Sequence, residues 1–304
     1  MLEGLQIAAR FGQYAALLTL FGVCGFGLLS TGAASYLPMR RLLGAGVIMG
    51  LAATLFGLVA QTGEMAGSLG DAVKSDMLWT IISATHYGAA WIVRLVALVL
   101  AALAIRLTDI WPRMAFGLTL ILAGLAVASL AWGGHGAGGE GLAGLGHLSA
   151  DVAHLWAAGL WVGALVCFCL LALTPGKHHL KPAARALAKF AGLGSAIAGT
   201  LVLTGAINTA FLVPLRTLAI LPDSSWARVL ALKLALFAGM LALAATNRFV
   251  LTPRLTNSLA DPSREAEAVR GLRFSLLAET TLAFCVLGLV AWLGMLHPPS
   301  HSAG

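Results

Sequence analysis

Long apolar runs, each bounded by charged residues, proline or clusters of glycine, recur along the whole chain. A helix needs about 20 apolar residues to cross the hydrocarbon core of a bilayer, and these runs lack the two-residue alternation of a β-strand. Because a helix satisfies its own backbone hydrogen bonds in lipid, we predict that each run is a membrane-spanning helix. The eight predicted spans cover residues 10–33, 41–63, 84–107, 112–134, 147–174, 184–212, 226–251 and 269–296.

The composition of the chain excludes an ordinary soluble domain. Of the 304 residues, 59% are hydrophobic and 10% are charged, whereas soluble domains are about 25% charged. No internal repeat or long linker divides the sequence. We therefore predict an all-α polytopic membrane protein, a bundle of about eight transmembrane helices, which forms a single domain over residues 1–304.

The distribution of basic residues predicts the orientation of the bundle. Lys and Arg are retained on the cytoplasmic side of a membrane, and most of the 19 basic residues fall at one set of span ends, including Arg40, Arg41, Arg113 and Lys181. These ends are predicted to be cytoplasmic, so both termini face the other side. The same bias, with attraction to anionic membrane lipid, explains the net charge of +7. Nucleic acid is therefore not expected as a partner.

Three polar residues share one stripe at the start of the fifth predicted span. His147, Asp151 and His154 are spaced i, i+4 and i+7, which places them on one face of a helix. Ionisable groups within a span are costly unless they have partners. We therefore predict that these three residues bind a metal ion or relay protons.

Further potential ligands are predicted at the same end of the bundle. His86 begins the third span and His135 follows the fourth. Imidazole suits copper, and thioether sulfur favours Cu(I). This end of the bundle is therefore enriched in copper-type ligands, and a metal site here would use His135, His147 and His154, with His86 as an auxiliary ligand. Other side chains near this end are Met65, Met77, Met295, His297 and His301, and such residues taken singly also fit interfacial anchors or ordinary loop residues.

Three charged residues lie deep within predicted spans. Arg94, Lys233 and Glu279 should point into the bundle and pair, because unpaired charges do not face lipid. Asp151 and Glu279 are the acids available as partners. The sequence leaves open whether these residues form structural ion pairs or a polar lining for a transport or redox site.

Several segments together resemble the copper-resistance protein D family of bacterial inner membranes. The fifth span carries the first of them, His147-Leu148-Ser149-Ala150-Asp151-Val152-Ala153-His154 followed by Leu160-Trp161-Val162-Gly163. The others are Tyr87-Gly88 with Trp91 and Arg94, Lys233 with Asn247-Arg248 and Pro253, and Ser275 through Glu279. The resemblance covers most of the chain from about residue 84 onward.

This resemblance implies an eight-helix protein of copper homeostasis in a bacterial inner membrane, with both termini in the periplasm. Such a protein accepts copper from a periplasmic copper-binding partner and moves it inward, so we expect a transport or binding protein rather than an enzyme. Two alternatives stay open. One is a haem b redox protein, with His86 and His154, or His135 and His154, as axial ligands. The other is an assembly partner that presents copper without translocating it.

Overall fold

A computed structural model of the chain describes residues 2–68, 70, 72–133, 141–175, 178–213, 224–258 and 262–296. Within these ranges all regular secondary structure is helical. The helices are α1 (Leu2–Leu29), α2 (Thr31–Ala34), α3 (Met39–Ala66), α4 (Ser75–Ala84), α5 (His86–Ile105), α6 (Pro112–Ala128), α7 (Gly141–Leu173), α8 (Leu180–Leu212), α9 (Ser225–Thr246), α10 (Thr252–Ser258) and α11 (Pro262–Leu293). A π-helical segment, Asn247–Leu251, joins α9 to α10.

The predicted fold class, an all-α polytopic membrane protein, is confirmed. Within the described ranges, seven helices are long and apolar enough to cross a membrane, with α9, the π-helical segment and α10 counted as one. The eighth predicted span is the shorter α6, whose 17 residues extend about 25 Å at 1.5 Å per residue. Helix α6 ends at Ala128 because the chain then turns through a short 3-10 segment, Ala131–Gly133. The count of eight is therefore approximate.

Successive spans run in opposite directions, so each end of the bundle collects alternate helix termini. We call the end at which α1 begins the N-terminal end. The helices α5, α7 and α9 also begin there, and α3, α8 and α11 finish there. The short helix α4, which the sequence analysis did not predict, packs against α3 and α5 near this end.

Helices α1 and α7 form the centre of the bundle. In their most apolar stretches, 67% of the α1 residues and 72% of the α7 residues are buried. The corresponding share is 17% for α8 and 11% for α9 with α10. Helix α1 packs against α3, α6, α7 and α11. Helices α8 and α9 therefore lie at the periphery of the bundle and are less buried than α1 and α7.

Glycines allow α1 and α7 to approach closely. Gly22 of α1 lies against Gly159 and Gly163 of α7, and a Cβ atom on Gly22 or Gly163 would overlap backbone atoms of the other helix. Gly159 and Gly163 are four residues apart, the spacing of small residues at many membrane helix contacts. The absence of side chains here sets the distance between the two central helices.

Helices α8 and α9 are held by different neighbours. Helix α8 packs on α7, and α9 packs on α11. Two cavities lie between α8 and α9, one towards each end of the bundle, with α7 and α11 lining both. These two cavities are lined by five of the polar residues that the sequence analysis singled out: His147, Asp151, His154, Lys233 and Glu279.

Candidate metal-binding site

The predicted stripe on α7 lines a cavity of about 210 Å³ near the N-terminal end of the bundle. His147, Asp151 and His154 contribute to its wall, and Lys233 of α9 lines it as well. We call this space the histidine cavity. The structure therefore brings together four of the predicted polar residues from two helices that are far apart in sequence.

His154 is held in a defined orientation by Thr204 of α8. Its Nδ1 atom lies 2.9 Å from the Thr204 hydroxyl oxygen, which lies 2.6 Å from the backbone oxygen of Thr200. Because the single hydroxyl hydrogen is donated to that carbonyl, the hydroxyl oxygen accepts from Nδ1–H. The Nε2 atom of His154 then carries the free lone pair that a metal ion requires.

Asp151 has one neutral hydrogen-bond partner and one nearby cation. The side-chain nitrogen of Asn208 donates to its Oδ1 atom at 3.3 Å. Lys233 is close enough to interact electrostatically with the carboxylate, although the two groups form no ion pair within 4.0 Å. The second carboxylate oxygen is therefore available to a ligand in the cavity.

The ring of His147 is fixed by stacking. It lies parallel to the ring of Phe211 with centroids 4.6 Å apart and an angle of 9° between the planes. No hydrogen bond joins His147 to another described residue. Stacking thus orients the imidazole and leaves both of its nitrogens free.

These side chains do not form a ready-made coordination sphere. Among the described residues, no three His, Cys, Asp or Glu side chains are placed to hold one ion. His154 is turned towards Thr204 and His147 lies flat on Phe211, which explains why the shared cavity contains no preformed triad. The predicted ligand His135 lies outside the described residues, as do His297 and His301.

The auxiliary residues are placed apart from the histidine cavity. His86 is the first residue of α5, and its side chain is exposed. Met65 is 58% exposed at the end of α3, and Met77 lies in α4. Neither these residues nor Met295 line the cavity. The structure therefore brings together the α7 stripe and Lys233, without His86 or the methionines.

The ion pairs predicted for Arg94, Lys233 and Glu279 are absent from the described part of the chain. Arg94 donates from Nε to the Ser129 hydroxyl at 2.9 Å and from Nη2 to the Ser129 backbone oxygen at 3.2 Å. Neither Arg94 nor Glu279 forms an ion pair within 4.0 Å with another described residue. The reason is local: α5 directs Arg94 towards the end of α6, whereas α11 directs Glu279 towards α7 and the end of α9.

Glu279 is bound by two neutral donors and is 2% exposed. Its Oε1 atom accepts from the Trp161 indole at 3.0 Å, and its Oε2 atom accepts from the Asn247 side chain at 2.8 Å. Asn247 begins the π-helical segment, and π-helical turns often occur at functional sites. The carboxyl group thus joins three different helical elements.

Glu279 also lines the second cavity between α8 and α9, which we call the glutamate cavity. Its volume is about 210 Å³, and its other polar lining residues are Ser195, Asn247, Arg248 and Thr252. One stripe of α7 connects the two cavities. The members of this stripe, spaced alternately by four and three residues, are His147, Asp151, His154, Ala158, Trp161, Leu165 and Phe168.

Sequence reasoning missed the residues that support the site. Thr204 and Asn208 bind His154 and Asp151 from α8, and Arg10 and Tyr14 line the histidine cavity from α1. A signal was present for α8, because polar residues four apart within a span lie on one helix face. The same signal was present in α1, where Arg10 and Tyr14 are also four residues apart.

Comparison with known proteins identifies the family. Residues 1–145 match the family model described as copper resistance protein D-like, N-terminal domain, and residues 184–293 match copper resistance protein D. A copper resistance protein D of Pseudomonas syringae pv. tomato is 37% identical over 310 residues, which cover 98% of each chain. This chain belongs to the copper resistance protein D family. The predicted resemblance is confirmed.

A second relative agrees with a membrane location. The inner membrane protein YebZ of Escherichia coli strain K12 is 28% identical to this member of the copper resistance protein D family over 316 residues, covering 98% of this chain and 100% of YebZ. No solved structure matches the chain. The two family models end at residue 145 and begin at residue 184, so the α7 stripe lies between them. The prediction of a single domain stays a prediction.

Proposed function

We propose that this protein takes copper at the periplasmic side of a bacterial inner membrane and moves it inward. In this proposal both termini, and with them the N-terminal end of the bundle, face the periplasm. The observation that carries the proposal is that His147, Asp151 and His154 line one cavity in a chain of the copper resistance protein D family. A periplasmic copper-binding protein is the expected donor.

The ligand chemistry of the histidine cavity suits a transient copper site. Two imidazoles and a carboxylate are ligands for Cu(II), and imidazoles also bind Cu(I). In its protonated form Lys233, which lies near Asp151, opposes a bound cation. A site that must release its ion benefits from incomplete coordination and nearby positive charge, because a tightly held ion would not move on.

The glutamate cavity supplies a second position along the same helix faces. From His154 to Trp161 the stripe on α7 advances by about 10 Å at 1.5 Å per residue, and Trp161 donates a hydrogen bond to Glu279. Intramembrane acids commonly mark ion pathways. We include Glu279 as the next group that copper meets after the histidine cavity.

The haem b alternative is less well supported by the described residues. Of the two predicted ligand pairs, the one with His135 and His154 is not tested, because His135 lies outside the described residues. His86 is exposed and does not line the histidine cavity, and the cavity of about 210 Å³ is smaller than the roughly 300–1,000 Å³ of common cofactor sites. A visible spectrum of the purified protein with a strong Soret band would favour haem over copper.

Replacing both cavity histidines is expected to remove copper binding. In a His147→Ala and His154→Ala double variant, the cavity loses its two imidazole ligands while Asp151 remains. Loss of groups that merely orient ligands weakens metal sites about 10–100-fold, so the loss of two ligands should weaken binding by at least ~100-fold. Equilibrium dialysis of purified protein followed by copper analysis measures this change.

A matched control uses His178, which is exposed and lies near the opposite end of the bundle. The His178→Ala variant should bind copper as the unmodified protein does. Equal copper stoichiometry and affinity in the double variant and the unmodified protein would contradict the proposal. Uptake of radioactive copper into proteoliposomes then separates transport from copper presentation, because a presenting protein binds copper without accumulating it inside.

Thr204→Val tests whether the orientation of His154 matters. Valine keeps the shape of the side chain but cannot accept the hydrogen bond from Nδ1, so the imidazole loses its fixed orientation. We expect copper affinity to fall by about 10–100-fold with little change in folded yield. The control is Thr200→Val, because Thr200 is half-buried on α8 and its hydroxyl donates to the Ala196 backbone oxygen within its own helix. Copper titrations that give the same affinity for both variants would exclude this role for Thr204.

A further inference from the structure

Arg94 is a buried cation for which the described residues supply no acidic partner. Its side chain is 1% exposed and bonds to Ser129 through Nε and Nη2. Its Nη1 atom is buried and has no hydrogen-bond partner in the described part of the chain. Removing a charge from water costs several kcal/mol unless an opposite charge compensates. A bound anion at this position would compensate the charge of Arg94.

Arg94 lines a small cavity of about 30 Å³ near the N-terminal end of the bundle, which we call the arginine cavity. Arg10, Gln13, Tyr14 and Tyr87 also line it, and none of its described lining residues is acidic. A cavity needs about 10–15 Å³ to hold one water molecule. The space thus accommodates about two or three water molecules or one small anion.

The polar groups around the arginine cavity are rich in hydrogen-bond donors. Two guanidinium groups and two phenol hydroxyls line it, and guanidinium groups donate without accepting. Gln13 hydrogen-bonds to the Tyr87 hydroxyl, and its amide nitrogen lies 3.3 Å from the backbone oxygen of Ala53. The ionisable groups that interact electrostatically with Arg94 are Tyr87 and Tyr14, and phenol side chains are neutral at pH 7. Donors from α1 and α5 therefore converge here, and the side-chain acceptors that line the cavity are neutral: the amide oxygens of Gln6, Gln13 and Gln61 and the two phenol oxygens.

The geometry points to a binding site for one halide-sized anion, chloride in a cell, between Arg94, Tyr87 and Arg10. The anion accepts from Nη1 of Arg94 and from the phenol hydroxyl, and it compensates the buried guanidinium charge. This site goes beyond the proposed copper function, because it uses none of the copper ligands. It adjoins the histidine cavity, with which it shares Arg10 and Tyr14.

The test compares chloride with an anion too large to enter. Full-length protein in detergent is transferred to sodium gluconate and titrated with sodium chloride at constant ionic strength, without copper. We expect saturable binding of about one equivalent of radioactive chloride. The thermal unfolding midpoint, followed by tryptophan fluorescence, should rise by at least about 4 °C at saturation. Bromide, a halide of similar size, should reproduce the rise.

Variants locate the site. Arg94→Gln should abolish chloride binding, and Tyr87→Phe, which removes one hydroxyl while keeping the ring, should weaken it several-fold. Arg228→Gln is the control, since Arg228 is exposed at the same end of the bundle. If the Arg94→Gln variant does not fold, the chloride affinity of the Tyr87→Phe variant tests the proposed site. The proposal is overturned by equal midpoints in chloride and gluconate with no bound chloride, or by unchanged chloride affinity in Tyr87→Phe.

Discussion

A Gly163→Ala variant is expected to yield almost no correctly folded protein. A Cβ atom at residue 163 would overlap the backbone of Gly22 in α1, and backbone atoms cannot rotate away as a side chain can. Extra methylene groups in a well-packed core typically lower the free energy of unfolding by about 1–3 kcal/mol. We expect a larger decrease here because the new Cβ atom meets backbone. Helix α1 packs against four other helices, and separating it from α7 disturbs the centre of the bundle. Size-exclusion chromatography and thermal unfolding in detergent measure the effect.

Two other glycines of α7 provide a graded control. A Cβ atom on Gly159 would meet the ring of Phe21 at 2.9 Å, and one on Gly146 would meet nothing within 4 Å. Gly159→Ala should therefore lower the unfolding midpoint moderately, since the Phe21 ring is able to shift. Gly146→Ala should leave it unchanged or raise it, because alanine favours a helix over glycine. Equal midpoints for all three variants would show that the glycine contact does not set the helix spacing.

The sequence predicts the fold class well because lipid imposes a simple rule on the backbone. Spans near residues 41–63 and 84–107 correspond to α3 and α5, since a helix is the structure that satisfies isolated backbone groups in lipid. The bounds were less accurate: α1 begins at Leu2 and α7 at Gly141. Hydropathy reports the part of a helix that lies in hydrocarbon, whereas the helix itself continues as far as backbone hydrogen bonds persist.

The candidate site was partly predictable for a related reason. His147, Asp151 and His154 lie on one helix, so their spacing alone places them on one face, and all three line the same cavity. The partners of Arg94 and Glu279 were not predictable in this way. They depend on how α5 and α11 are rotated about their axes, which hydropathy does not fix. In the structure, neutral donors and acceptors of adjacent helices bind these two charged groups.

A Glu279→Gln variant is expected to keep copper binding and lose copper uptake. Glutamine has nearly the same size as glutamate but carries no negative charge, so a cation that leaves the histidine cavity meets no anionic oxygen in the glutamate cavity. Binding at His147 and His154 is independent of this change, because Glu279 does not line the histidine cavity. We expect uptake of radioactive copper into proteoliposomes to fall to the level of protein-free liposomes.

The structure indicates that Glu279→Gln leaves the fold intact, so a loss of uptake would reflect the missing charge. The replacement carbonyl still accepts the hydrogen bond from Trp161. The Asn247 side-chain nitrogen now donates to Glu279 Oε2, so its amide must rotate by about 180° for its oxygen, which is buried and has no partner among the described residues, to accept from the new amide group. An exposed acid at the end of α3, changed as Glu64→Gln, is the control and should transport normally. Unimpaired uptake by the Glu279 variant would mean that copper does not pass the glutamate cavity. A simultaneous loss of copper binding would mean that capture and inward movement are not separable steps along the α7 stripe.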